Sequence, residues 1–350
     1  MSDRKRGHVA GLSRREVLCA SMMAAVGGTG VIGGWHWRAA SADAGEHGQD
    51  ARATRQDAPA TRQDSRGTRS ADPQQGYIDA HVHVWTSDTE RYPLAAGHSK
   101  QRMATPSFTP EELFAHARPC GVTRVVLIQM SYYGWDNSYM LDMMRKHKGV
   151  FSGVACVDEG AEPAQKMRAL AREGVRGFRI VAGSQSPERW LDREPMAGMW
   201  KCGSEEGLAI CPLMNPQHLA ALDAMCRRFP ATAVVVDHFA RIGVDGEIRQ
   251  PDLDNLCRLA RHKNVRVKLS AFYALGKKQA PYLDLAGMVR CLLEAFGPER
   301  LMWASDAPFQ VLGGHCYRDS IDLIRSRLDF LSAGDRDWLL RRTAEETFFR

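Results

Sequence analysis

The chain has 350 residues, of which 44% are hydrophobic and 25% charged, the proportions of a folded globular protein. Its net charge of +6 is spread thinly, half of it in residues 1–75, and no basic stripe with interleaved aromatics occurs, which argues against a nucleic-acid partner. Nine cysteines are scattered from Cys19 to Cys316, with no C-x-x-C pair among them. That excludes a zinc ribbon or a dithiol redox motif and leaves packing as their expected role.

The first segment reads as a leader. Arg4, Lys5, Arg6, Arg14 and Arg15 precede a weakly apolar run, 17–34, that is too short and too polar to span a bilayer. The stretch SRREVL at 13–18 resembles a twin-arginine export signal, and Ala40-Ser41-Ala42 offers a small-residue cleavage site. The expectation is a signal peptide over 1–42, read by the twin-arginine translocation machinery, and a mature protein in the periplasm or cell envelope. Export after folding also reconciles an extracytoplasmic address with an odd number of cysteines. Residues 43–76 repeat ATRQD at 53–57 and 60–64 and hold almost nothing that can be buried, so they read as a disordered linker.

From Tyr77 to Arg350 short apolar runs alternate with segments of helical period. Eight strands are predicted at 77–84, 124–129, 151–157, 175–181, 208–214, 233–238, 265–271 and 301–306. The helices between them have readable ends. Thr109-Pro110-Glu111-Glu112 supplies an N-cap, a proline at the first position and acids in the first turn. The segment from Asn215 places Leu219, Leu222, Met225 and Cys226 on one face, and segments from Asp252 and Leu283 follow the same rule. Gly121, Gly149, Gly174 and Gly207 stand where helices should stop. Eight strand–helix units over some 270 residues predict an α/β fold, a closed (β/α)8 TIM barrel. An open doubly wound sheet is disfavoured, since no G-x-G-x-x-G follows the first strand.

In such a barrel the site lies at the C-terminal ends of the strands. His81 and His83 stand near the end of the first strand at i and i+2, which turns both imidazoles to one face. By the same alternation Asp79 should share that face. Asp237-His238 ends the sixth strand and Asp306 the eighth, whereas Trp303 reads as barrel core. Four such residues at strand ends mark a site, although a lone histidine or aspartate is commonly structural. Gln129, closing the second strand, and Tyr273, after the seventh, are further candidates for substrate contact.

DAHVHVW at 79–85, RGFRI at 176–180, VVVDHFAR at 234–241, VKLSAFY at 267–273 and WASDAPF at 303–309 together resemble the amidohydrolase-related family. The resemblance runs from Tyr77 to the C-terminus and is strongest to the lactonase branch, which includes 2-pyrone-4,6-dicarboxylate lactonase and sugar-acid lactonases. It implies catalytic roles for His81, His83, His238 and Asp306, and substrate binding by Arg241 and by Arg176 or Arg179. Two family features are missing: a histidine closing the fifth strand, which here ends Met214-Asn215, and an arginine after the seventh, here Phe272-Tyr273.

Two chemistries use these residues. His81, His83, His238 and Asp306 can supply the ligands of one divalent metal, zinc before others. Alternatively no cofactor is required: Asp306 takes a proton from water while the histidines polarise an ester carbonyl, with arginines gripping a carboxylated lactone. The second is the expected function. A metal-dependent decarboxylase or amide hydrolase of the same superfamily, or a non-catalytic binding barrel in the envelope, stand as alternatives.

Overall fold

The computed structural model describes residues 76–160, 162–182, 186 and 193–350. The expected leader and all but the last residue of the expected linker lie outside them.

Eight parallel strands pair in chain order: β1 Tyr77–Val82, β2 Val122–Ile128, β3 Phe151–Ala155, β4 Val175–Val181, β5 Ala209–Leu213, β6 Val234–Val236, β7 Val265–Leu269 and β8 Leu301–Trp303. The ring closes just past β8, where the Asp306 N–H donates to the His81 carbonyl at 2.9 Å and the His83 N–H to the Ala307 carbonyl at 2.9 Å. The fold is the (β/α)8 barrel that the alternation predicted. β6 and β8 are shorter than predicted, so Asp237, His238 and Asp306 stand beyond their strands.

Among the described residues the helices are α1 Pro110–Ala117, α2 Ser138–Lys146, α3 Pro163–Arg172, α4 Glu194–Glu206, α5 Leu219–Arg228, α6 Gln250–Arg258, α7 Ala286–Phe296, α8 Tyr317–Asp322, α9 Ala333–Asp337 and α10 Thr343–Phe348. None is long and apolar enough to cross a membrane. α1 begins with the reciprocal cap expected of its sequence: Thr109 Oγ1 accepts from the Glu112 N–H, and the Glu112 carboxylate accepts the Thr109 N–H at 2.6 Å. Gly121, Gly149, Gly174 and Gly207 all adopt positive φ. The eight described cysteines are free thiols.

The core has two layers. Ile78, Ala80, Val126, Ile128, Val154, Cys211, Val235 and Met302 form the apolar interior, with Ala344 and Phe348 of α10 packed into it. A larger layer fills the space between barrel and helices, and Trp303 belongs to it rather than to the interior: its Nε1 donates to Ser320 Oγ of α8 at 3.1 Å.

Strand β1 departs from simple alternation. Its pairing with β2 slips between Asp79 and Val82, a bulge that lets Ala80 and His81 both face the interior. Asp79 therefore does not share a face with His81. It accepts the Tyr317 hydroxyl of α8 at 2.6 Å and the N–H groups of Ser305 (2.9 Å) and His81 (3.2 Å). Burial pushes its carboxyl up to about 6 despite those three donors, which makes it a brace between β1, α8 and the segment after β8.

Candidate active site

His81, His83, His238, Asp306 and Tyr273 converge at the C-terminal mouth of the barrel. The Nε2 atoms of His81 and His83 lie 3.3 Å apart, and each is 3.5 Å from Asp306 Oδ1. His238 Nε2 is 3.9 Å from Asp306 Oδ2, which also accepts the Tyr273 hydroxyl at 2.7 Å. All five are buried.

The backbone that aims these groups is strained. His238, Phe239, Ala240 and Arg241 have φ values of 50°, 53°, 53° and 62°, four left-handed residues in a row without a glycine, and Asp306 has 63°. Each costs on the order of 1–3 kcal/mol, so packing must hold them. Phe239, fully buried, provides part of that packing against Phe272, ring centroids 6.2 Å apart. The left-handed turn sets His238 at its start and Arg241 at its end.

Burial and the Lys268 charge hold His81 well below the ordinary imidazole range, so its ring is neutral. Burial likewise pushes His238 down to about 4, and its Nδ1 lies 2.8 Å from Ser270 Oγ. For Asp306, burial alone would raise the carboxyl, but His238, His83 and His81 outweigh it and keep the group well below the carboxylate range. Burial and that anion raise the Tyr273 phenol well above its normal value, so it remains a donor.

The other candidates are placed as follows. Arg241 donates to Asn215 Oδ1 at 2.8 Å, and Arg179 lies 3.3 Å from Asp237 Oδ2; both are close enough to act on the Tyr273 phenol electrostatically. Arg176 is not in this group. It stands three residues before Arg179, hence on the other side of β4, and donates to the carbonyls of Ala171 and Val175. The Gln129 amide donates to the carbonyls of Gly134 and Asp136, which ties it to the loop after β2.

Sequence reasoning missed Lys268. It is fully buried, its Nζ 3.0 Å from Asp237 Oδ1 and 3.1 Å from His81 Nδ1. Burial would raise Asp237, yet Lys268, His81 and Arg179 together hold it well below the carboxylate range. The available signal was a lysine at the centre of an otherwise apolar barrel strand, VRVKL.

Among the described residues, two sets of side chains have the donors for a metal ion: His81, His83 and Asp306, and His81, Asp237 and His238. Separations of 3.3, 3.5 and 3.5 Å in the first are close to the roughly 3.3–3.4 Å between donors of a tetrahedral zinc with bonds of about 2.0–2.1 Å, so the spacing fits. In the second, Asp237 is already committed to Lys268 and Arg179.

A family model described as amidohydrolase matches residues 78–350. The chain belongs to the amidohydrolase family. Among curated relatives, this amidohydrolase is 29% identical to an L-fucono-1,5-lactonase of Burkholderia ambifaria over 242 residues, 68% of this chain and 82% of the relative. It is 27% identical to a 2-pyrone-4,6-dicarboxylate hydrolase of Comamonas testosteroni over 259 residues, 70% and 81% of the two chains. Among solved structures, a Burkholderia multivorans amidohydrolase with bound zinc superimposes with a TM-score of 0.66 at 23% identity, over 78% of this chain and 99% of that one. At that identity the likeness speaks for the fold alone.

Proposed function

We propose that this amidohydrolase is an exported hydrolase that opens a carboxylated lactone. The observation that carries the reading is a buried Asp306 carboxyl facing three imidazoles and a phenol, with Arg179 and Arg241 near the phenol. Relatives named as lactone hydrolases support it.

In this reading Asp306 takes a proton from a water seated between it and the imidazoles, and the resulting hydroxide adds to the lactone carbonyl. The Nε2–H groups of His238 and His81 stabilise the oxyanion; for His238 the proton is favoured on that nitrogen by the carboxylate 3.9 Å away. When the tetrahedral intermediate collapses, the ring C–O bond breaks and Asp306 returns its proton to the leaving alkoxide. Arg241 and Arg179 hold the substrate carboxylate, as a guanidinium fork matches two carboxylate oxygens. The spacing of His81, His83 and Asp306 would suit a divalent ion, zinc before others, which would add Lewis-acid polarisation of the carbonyl were His81 Nε2 deprotonated; the steps above need only the chain's own groups.

The test is a panel of neutral and carboxylated lactones with the purified protein. Arg241→Met is expected to raise KM for carboxylated lactones about 10–100-fold, the worth of a charged hydrogen bond of about 1.5–3 kcal/mol, with little change in kcat. Equal loss on neutral lactones would remove Arg241 from substrate recognition, and no turnover of any lactone would overturn the reading. Export is tested separately: Arg14→Lys with Arg15→Lys is expected to retain the precursor in the cytoplasm, and unaltered export would exclude the twin-arginine route.

A further inference from the structure

We propose that Lys268 is a positioning residue that fixes which nitrogen of His81 carries the proton, so that Nε2 presents an N–H rather than a lone pair for a metal ion. The inference deepens the lactone reading, resting on it only for the identity of the substrate.

The argument is a chain of obligatory donors and acceptors. An ammonium group has donors only, so the 3.1 Å contact between Lys268 Nζ and His81 Nδ1 requires Nδ1 to accept. A neutral imidazole has one proton, which must then sit on Nε2. There it faces His83 Nε2 at 3.3 Å. His83 Nδ1 lies 3.0 Å from the Ile128 carbonyl, which can only accept, so Nδ1 carries a proton, and a ring with that one proton can receive the His81 proton at Nε2. Every link from Lys268 to Ile128 is satisfied with one proton per ring. The rival arrangement, His81 Nδ1–H donating to Asp237 Oδ1, has the longer contact, 3.4 Å against the 3.1 Å from His81 Nδ1 to Lys268 Nζ.

The consequence for metal binding is direct. The spacing of His81, His83 and Asp306 suits a small divalent ion, but the ion would need the lone pair of His81 Nε2, and Lys268 keeps a proton there. Moving that proton to Nδ1 points it at a buried cation, and an incoming dication adds to the charge of Lys268 and Arg179 around Asp237. Without the lysine, Asp237 would take the Nδ1–H, giving the carboxylate–histidine–metal order in which a second carboxylate makes the ring a better ligand. One ammonium therefore selects between two chemistries that share the same histidines and aspartate.

The experiment uses the full chain, stripped with chelator and titrated with zinc chloride, with bound zinc per chain measured. Lys268→Met is expected to bind one zinc per chain about 10–100-fold more tightly than wild type, the range over which such supporting partners alter metal affinity. Lys268→Met combined with Asp237→Asn removes both buried charges and keeps an acceptor for Nδ1–H, and the same gain is expected there. In parallel, ¹⁵N-histidine NMR of the wild-type protein, with His81 assigned by the signal lost in His81→Gln, should show the proton on Nε2. That measurement stands even if neither lysine variant folds. A wild-type His81 protonated on Nδ1, tight stoichiometric zinc in the wild type, or no gain in zinc affinity in a folded variant would overturn the proposal. None of these readouts uses a lactone, so failure of the substrate reading leaves them untouched.

Discussion

Asp306→Asn is expected to leave the barrel folded and to cut kcat/KM on the best lactone by about 10²–10⁴-fold, the usual share of a positioned base. Asparagine keeps the shape and an acceptor for the Tyr273 hydroxyl but cannot take a proton from water. The seam at this position is made by the backbone N–H to the His81 carbonyl, which the substitution does not touch. Stability should respond in a pH-dependent way. The fold lowers the Asp306 carboxyl below its unfolded value, so the carboxylate contributes stability that is complete above the ordinary carboxylate range and is lost progressively below it, as pH falls toward and through the lowered folded value. Variant and wild type should thus differ most in denaturant resistance at neutral pH and least in acid. Wild-type turnover by the folded variant would show that Asp306 is not the base.

His238→Asn is expected to lower kcat by about 10²–10³-fold, the typical effect of losing one oxyanion donor, with KM for a carboxylated lactone nearly unchanged. The His238 ring is set by a left-handed turn and by Ser270, and a shorter side chain cannot reach the same point above Asp306. Because burial pushes this imidazole down to about 4, it is neutral throughout the working range. The wild-type rate should accordingly be level from about pH 5 to neutrality, with its acid limb below that. An acid limb centred near 6.5 would mean that His238 titrates as a free imidazole.

The barrel was legible because each unit carries its own punctuation: a β-branched run, a capped helix, a glycine at positive φ. The convergence of His81, His83, His238 and Asp306 was legible from their residue types at strand ends, since the loops at the C-terminal rim of a barrel are where such groups meet. Geometry finer than strict alternation was not. The bulge in β1 separates Asp79 from His81, and a pleat count cannot foresee it because the slip is set by pairing with β2. Arg176 and Arg179 were indistinguishable in the motif RGFRI, and only the phase of β4 sends one to the site and the other to α3. Lys268 escaped notice because an isolated basic residue in a strand reads as solvent-facing, whereas its charge is compensated inside the barrel by Asp237 from the neighbouring strand end.

The seam between the first and last strands has a consequence for the life of the chain. The bonds that close the ring are made by the backbones of His81, His83, Asp306 and Ala307, and Asp79 clasps Ser305 from 226 positions away. During synthesis everything from Tyr77 onward can acquire its local structure, yet β1 waits with an open edge until residues 301–307 emerge. Such distant pairing is slow to form, and until it forms the exposed edge is a hazard for misassembly. The same closing bonds bring Asp306 to the three histidines. On the proposed mechanism, a chain cut before Asp306 is expected to be inactive.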